Sequence, residues 1–485
     1  MNIMLDELIQ ERRKKLSRLK EAHINPYPSR TKRTFTIVEA RKKFKSLANS
    51  RKKIFLAGRM TGFRDQGGVV FADISDETGK LQLVLKKDNL KNFDLLKETL
   101  ERGDFLSAGG FLFTTKKGEE SLEVKELQVL AKSLRPLPSS WHGLEETETR
   151  LRKRYLDILM SPGTKEMFRK KTIFWQSFRN YLVKEGFSEV EMPVFEQLPG
   201  GAEAEPFKTH HNALDVDFYL RISLELPLKK LLVAGYEKVF EIGRIFRNEG
   251  IDREHLQDYT QLEFYWAYRD YNDLMVLAEK MYKEVIQKTV GSLITAFGDV
   301  KINWGKKWQR VEYVDIFQKF NNLDPAAASR DELFKKAVSL GLLPERSIGK
   351  GRLIDLIFKK TVRSTLIQPV FLINPPVEVE PLAKRAEKNP VLVERMQIVA
   401  CGTELGKGFS ELNDPVDQRN RFEEQMKLRE AGDTEAQRLD DDFLEALEYG
   451  MPPAAGFGVS ERLFAVLMDK PIRETTIFPL MRPEK

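Results

Sequence analysis

The chain has 485 residues, 41% hydrophobic and 32% charged, with a formal net charge of +7, a length that holds two or three domains with substantial cores. No stretch approaches the roughly 18 apolar residues of a membrane span and no apolar signal segment opens the sequence, so a cytoplasmic setting is expected. The one cysteine, Cys401, excludes an internal disulfide framework and any cysteine-based zinc site.

Positive charge gathers early, in ERRKKLSRLK (11–20), RTKR (30–33) and RKKFK (41–45). Such clustering suggests a polyanionic partner, nucleic acid above all, although any one cluster also fits a solvated helix face. Leu5, Leu8, Ile9, Leu16 and Leu19 recur at roughly helical spacing and predict a basic amphipathic helix within 4–22. Residues 1–50 therefore read as a basic helical extension. From Ile54 to about Leu134 the texture changes to short alternating runs, FLAGRMTGF, GGVVFADISD, GKLQLVLKK, FLSAGGFLFTT and SLEVKELQVLA, separated by polar and glycine turns. Five such strands suggest a small barrel of the oligonucleotide-binding kind, over 51–137. LRPLPSS (134–140) leads into a linker over 138–162. The remainder, 163–485, reads as one large α+β domain with helices at 165–185, 272–290, 416–430 and 441–449.

Within that domain FEIGRIFRNEGIDREHLQDYTQLEFYWAY (240–268) reads as a hairpin, Val239–Arg247 and Tyr259–Tyr268. Alternation puts Tyr259, Gln261, Glu263 and Tyr265 on one face of its second strand, and Leu262, Phe264, Trp266 and Tyr268 on a core face. An amphipathic hairpin with one wet face explains this pattern without any chemistry. No GxxxxGK[ST] phosphate loop is present, and GKGR (349–352) is too generic to count. The adjacent histidines of THHN (209–212) would diverge in a strand, which argues against a metal site. What remains is a scatter of acids and arginines: Glu225, Arg247, Glu249, Glu263, Glu404, Glu411 and Arg462.

These residues acquire meaning through a resemblance. The hairpin is similar to motif 2 of class II aminoacyl-tRNA synthetases, and in detail to the lysyl-tRNA synthetase family. FSEVEMP (187–193) resembles motif 1, and GFGVSERLFAVL (456–467) with FPLMRP (478–483) resembles motif 3. The stretches 199–226, LIQPVFLINPPVEVEPLAKR (366–385), GFSELNDP (408–415) and the linker RPLPSSWHGLEETETRLRKRYLDIL (135–159) follow the same family, so the likeness covers nearly the whole chain. It implies an anticodon-binding barrel joined to a class II catalytic domain with an antiparallel sheet flanked by helices. The implied activity is ATP-dependent activation of L-lysine to lysyl-adenylate, then transfer to tRNA(Lys), in a homodimer formed through motif 1.

The resemblance also implies roles. Arg247 and Arg462 are the catalytic cations, with Arg247 on the ATP α-phosphate and Arg462 on the γ-phosphate side. Glu249 reads the adenine amino group, Tyr259 stacks on the ring, and His255 assists from the loop. Glu404 holds Mg²⁺, with Gln397 as its companion metal position. For lysine, Glu225 and the Gly201 backbone meet the α-ammonium. Glu411 and Tyr265 meet the ε-ammonium, and Glu263 lies between. In the barrel, Arg64, Phe71, Gln82 and Glu126 fall where the family reads a uridine-rich anticodon.

Some positions depart from the commonest family pattern. Gln397 stands where a second metal-binding Glu is usual, and Lys407 where Asn is usual. Motif 3 is one residue short, with Glu461 for Asp, and the motif 2 loop REHLQDY (253–259) is atypical. If 405–413 is a strand, Lys407 and Glu411 face the same way about 13 Å apart, one contact for each end of a lysine. Three alternatives stand beside this reading: a paralogue that ligates lysine to protein, a synthetase for aspartate or asparagine, and a non-catalytic RNA-binding descendant.

Overall fold

The computed structural model describes residues 2–138, 146–250, 255–433 and 436–484. It divides into two compact units, Met1–Gly143 and Leu144–Lys485.

In the first unit, helix α1 (Asn2–Glu21) lies against a barrel of β1 (Ile54–Asp65), β2 (Val69–Ser75), β3 (Lys80–Lys86), β4 (Phe105–Thr114) and β5 (Glu120–Ala131). The barrel closes in the order β1-β2-β3-β5-β4. Alternation along each strand sends Leu56, Met60, Ala72, Ile74, Leu83, Leu106 and Leu122 inward, all fully buried. The anchoring of α1 differs from the expected leucine stripe. Leu8 is 45% exposed, whereas Arg12 and Leu19 are buried. Arg12 donates to the carbonyls of Ser133 (3.3 Å) and Arg135 (3.0 Å) and pairs with Glu101 at 3.3 Å. Arg13, Lys14 and Lys20 stay on the exposed side.

The second unit is built on an eight-stranded mixed sheet. Its elements, in chain order, are α2 (Pro162–Lys184), β6 (Ser188–Glu189), α3 (Glu225–Val233), β7 (Lys238–Phe246), β8 (Asp258–Ala267) and α4 (Tyr271–Val290). Then follow β9 (Gln309–Glu312), β10 (Val370–Ile373), β11 (Arg395–Ala400), β12 (Thr403–Ser410), α5 (Pro415–Glu430), α6 (Asp441–Glu448) and β13 (Ala454–Ser460). The strands run in the order β9-β10-β11-β12-β13-β8-β7-β6. Only the two edge pairings, β9 with β10 and β6 with β7, are parallel. Helices α2 and α4 cover one face, where Phe174, Phe178, Tyr282, Leu262, Phe264 and Phe457 form a dry core. Asp270 starts α4 by accepting from the backbone N–H of Asn272 and Asp273, and Gly291, at φ +79°, ends it.

The hairpin β7–β8 forms with Phe240 opposite Phe264 and Glu241 opposite Glu263. One expectation fails at its end. Tyr268 is 63% exposed rather than core, because β8 stops at Ala267 and Tyr268 turns into a positive-φ conformation (φ 60°). THHN forms an exposed strand, Lys208–His211, in which His210 Nδ1 lies 3.0 Å from an Asp217 oxygen. Among the described residues no group of three acidic, histidine or cysteine side chains gathers as a metal site. Three helices, Tyr313–Asn321, Arg330–Ser339 and Lys350–Thr361, were not anticipated from the sequence, and they pack into an apolar cluster with Leu372 of β10 and Val399 of β11. GKGR is the start of the last of them.

Candidate active site

The sheet face turned away from α2 and α4 holds a cavity of about 250 Å³. Strand alternation builds it. While Leu262 and Phe264 point into the core, Tyr259, Gln261, Glu263 and Tyr265 of β8 line the cavity, as expected. Glu404 and Lys407 of β12 join them, with Glu225 at the start of α3, Gly201, Arg247, Glu249, His255 and Arg462. Glu411 and Gln397 are not in this lining; each contacts a residue that is. Arg253 and Glu254 of the motif 2 loop lie outside the described residues, as do 139–145 of the linker.

At one end, Arg247 follows β7 directly. Its Nε donates to the Ile222 carbonyl at 3.2 Å, and its guanidinium lies 5.7 Å from the Tyr259 ring centre. The fork is thus oriented before any ligand arrives. Glu461, the residue that departs from Asp, is buried and faces away: it pairs with Lys171 at 2.6 Å and accepts from the Thr260 N–H at 3.0 Å. Its role is to pin the turn that presents Arg462.

At the other end lie the acids. Glu263 is saturated by the protein, accepting from Ser223 Oγ (3.0 Å), Leu224 N (3.1 Å), Gln261 Nε2 (2.7 Å) and Tyr265 OH (2.9 Å). Glu411 Oε1, by contrast, is buried without a hydrogen-bond partner among the described residues. A Cβ at Gly456, a cavity-lining position, would overlap both that oxygen and the Tyr265 ring. Only glycine leaves the carboxylate room. Burial pushes Glu411 well above the ordinary carboxylate range and Glu225 up to about 7, with Lys229 pulling both down. Lys229 was not nominated from the sequence. A lysine in a helix reads as surface, and nothing in the pattern marks it as buried.

Glu404 of β12 lies among cations. Burial would raise its carboxyl, but Arg462, Lys407 and Arg395 outweigh that and hold it at about 2. Gln397 and Lys407, the two departures, are direct cross-strand partners on β11 and β12. The Gln397 amide donates to Glu404 Oε2. Lys407 pairs with Glu380 at 2.8 Å rather than swinging free to solvent, and Arg395 approaches the same carboxylate at 3.5 Å. The expected strand over 405–413 is shorter: β12 ends at Ser410, and Glu411 sits in an isolated bridge opposite Ala383.

On the barrel, Arg64 is the cross-strand partner of Phe71, and Gln82 is the partner of Asp73, two residues along β2. Arg64, Phe71 and Gln82 therefore share the outer surface of β1–β3, because Ala72 and Ile74 between them point inward. Gln82 Oε1 accepts from Ser121 Oγ at 3.0 Å. Glu126 is on β5, opposite Gly109, and pairs with Lys53. Gly109 in turn is opposite Phe55, whose ring carries the ammonium groups of Lys32 and Lys53 at 5.2 and 5.6 Å. Phe55, missed in the sequence, adds an aromatic to that side.

Two family models match. Residues 146–482 match the model for tRNA synthetases class II (D, K and N), and residues 54–137 match the model for the OB-fold nucleic acid binding domain. A lysine–tRNA ligase of Moorella thermoacetica is 43% identical over 484 residues, covering 99% of both chains. The chain belongs to the lysine–tRNA ligase family of class II synthetases. Another relative of that name, from Roseiflexus castenholzii, is 43% identical over 99% of this chain and its own full length. A third, from Christiangramia forsetii, is 40% identical over 99% of this chain and 87% of its own. The family accounts for the two domains, a synthetase domain and a nucleic-acid-binding barrel. It also bears out the closed barrel and the α+β class expected from the sequence. Among the described residues no helix is long and apolar enough to cross a membrane.

Proposed function

We propose that the lysine carboxylate attacks the α-phosphorus of ATP in this cavity, expelling pyrophosphate, and that the adenylate then passes lysine to the 3′ end of tRNA(Lys). The observation that carries this reading is the polarity of the cavity. Unfilled carboxylate capacity suited to ammonium groups lies at one end, and oriented arginine with a stackable aromatic lies at the other. Catalysis then needs no protein nucleophile, only alignment and charge stabilisation. In this reading Arg247 and Arg462 hold the triphosphate, Glu249, His255 and Tyr259 the adenosine, and Gly201, Glu225, Glu263, Tyr265 and Glu411 the lysine. Lysine-dependent ATP–pyrophosphate exchange is the test. Equal or greater exchange with aspartate or asparagine, or none with lysine, would rule the reading out.

Glu404 suits one Mg²⁺, which needs few protein carboxylates when phosphates and waters complete its shell. The ion would neutralise charge on the departing pyrophosphate. Gln397, donating to Glu404, offers less to a metal than a carboxylate would, while Lys407 adds a fixed cation opposite it. Lys407→Asn should slow adenylate formation, and adding Gln397→Glu should partly recover it while lowering the Mg²⁺ needed for half-maximal exchange. A Lys407→Asn enzyme as active as wild type at every Mg²⁺ concentration would leave Lys407 without a part in the chemistry.

Arg64, Phe71, Gln82 and Glu126 are proposed to read the anticodon by stacking and base-edge hydrogen bonds. Phe71→Ala should remove roughly 1–3 kcal/mol of stacking, raising the KM for tRNA and sparing pyrophosphate exchange. Equal loss in both assays would mark Phe71 as a packing residue. A homodimer through motif 1 is supported by apolar side chains left exposed on either side of it, Ile173 (42%) and Val183 (54%) on α2 and Phe195 (60%) just after it; sedimentation of the wild-type chain checks it.

A further inference from the structure

The acidic end of the cavity contains a cation of its own. Lys229, one turn along α3 from Glu225, is fully buried. Its Nζ lies 2.6 Å from Glu225 Oε1 and contacts Glu411 Oε2 beyond β12. The rings of Phe409 and Phe443 flank it at 5.4 and 5.8 Å. A lysine is almost never fully buried unless it is paired, and here one ammonium bridges both carboxylates read above as ligands for the two ends of lysine. Lys229 itself is held ionised: burial opposes its charge, but Glu225 and Glu411 outweigh burial.

The charges can be counted. Fully ionised, as with lysine bound, Glu225, Glu263 and Glu411 would bring three negative charges against the one positive charge of Lys229, leaving a net of two to meet the two ammonium groups of free lysine. We propose that Lys229 is the positioning residue of the lysine pocket, an internal counter-ion that aligns Glu225 with Glu411 and favours their ionised forms against burial. This inference rests on the cavity being the lysine site.

The physical reason is that two carboxylates sharing a buried site cannot both ionise without a cation between them; one keeps a proton. Other neighbours do not supply that cation. From β8, Glu263 and the Tyr265 phenol add negative charge or none. Glu380 is taken up by Lys407 and Arg395. Lys230, next along α3, pairs outward with Asp442 of α6. Among the described residues, Lys229 is the cation in contact with both glutamates.

Removing it should therefore make the pair hold its shared proton more tightly, a proton that lysine must displace on binding. Lysine-dependent exchange, and calorimetric lysine binding in buffers of different ionisation enthalpy, would be followed from about pH 6.5 to 8.5. In Lys229→Met the lysine KM at pH 7 should rise about 10- to 100-fold, matching a carboxyl raised by one to two pH units. The deficit should shrink as pH rises and the proton leaves, binding should release more protons than in wild type, and the KM for ATP should hold. Lys229→Arg keeps the cation and should keep the wild-type pH slope even if crowding lowers the rate. Lys229→Gln gives the same reading as Lys229→Met should the latter not fold. A loss independent of pH, no loss at all, or the same pH shift in Lys229→Arg would overturn the counter-ion role. Absence of lysine-dependent exchange in the wild type would instead overturn the reading of the cavity.

Discussion

Glu411→Gln should raise the KM for lysine by about two to three orders of magnitude at neutral pH while leaving the KM for ATP nearly unchanged. Glu411 is buried, and its Oε1 has no hydrogen-bond donor among the described residues. That combination is costly for an isolated carboxylate and favourable for one awaiting an ammonium. Removing one partner of a buried charge pair costs about 3–5 kcal/mol. The loss has a ceiling, because the substrate can shed its proton instead. An ammonium of ordinary pKa near 10.4 gives up its proton at pH 7 for about 4–5 kcal/mol, so the variant should regain affinity as pH rises. Steady-state exchange at several pH values separates these effects. A lysine KM that matches wild type throughout would remove Glu411 from the pocket. In this variant Lys229 keeps Glu225 as a partner at 2.6 Å, so the fold should survive the change.

How much of this was legible in the sequence depends on what each residue type betrays. The hairpin could be read because its alternation is strict: Leu262 and Phe264 enter the core, while Glu263 and Tyr265 enter the cavity. Tyr268 shares that parity but lies past the strand end, where parity ceases to apply. The barrel strands were equally visible. Lys229 was not, because its burial comes from Phe409, Phe443 and Glu411, more than a hundred residues away in the chain. The pairing of Gln397 with Lys407 is likewise a matter of register between β11 and β12. Spacing alone put Glu411 on the same strand as Lys407, and the early end of β12 at Ser410 corrects this. The helix around Phe317 and those around Leu333 and Ile354 had readable periodicity, but they pack on β10 and β11 through Leu372 and Val399, in a cluster that bears no site residue.

Arg247→Lys should cost about 10²- to 10³-fold in the rate of pyrophosphate exchange, close to the loss of a preorganised donor in other sites, although the charge is kept. The reason lies in what fixes the guanidinium. Nε is committed to the Ile222 carbonyl at 3.2 Å, and the planar group stands 5.7 Å from the Tyr259 ring, so the two terminal nitrogens are left to face an anion as a rigid fork. An ammonium on a flexible stem cannot make the backbone bond and a planar forked contact at once. Negative charge shifts towards the non-bridging and leaving oxygens only as the α-phosphorus is attacked, so the loss should fall on kcat and on kcat/KM together, with the KM for lysine nearly unaltered. A rise in the KM for ATP at constant kcat would show that Arg247 holds the nucleotide equally in ground and transition states. Arg462 offers the internal comparison. It lines the same cavity but follows a turn pinned through Glu461 and Lys171, so Lys171→Met should reproduce part of an Arg462 defect without touching ATP, and it should leave the Arg247 contribution intact.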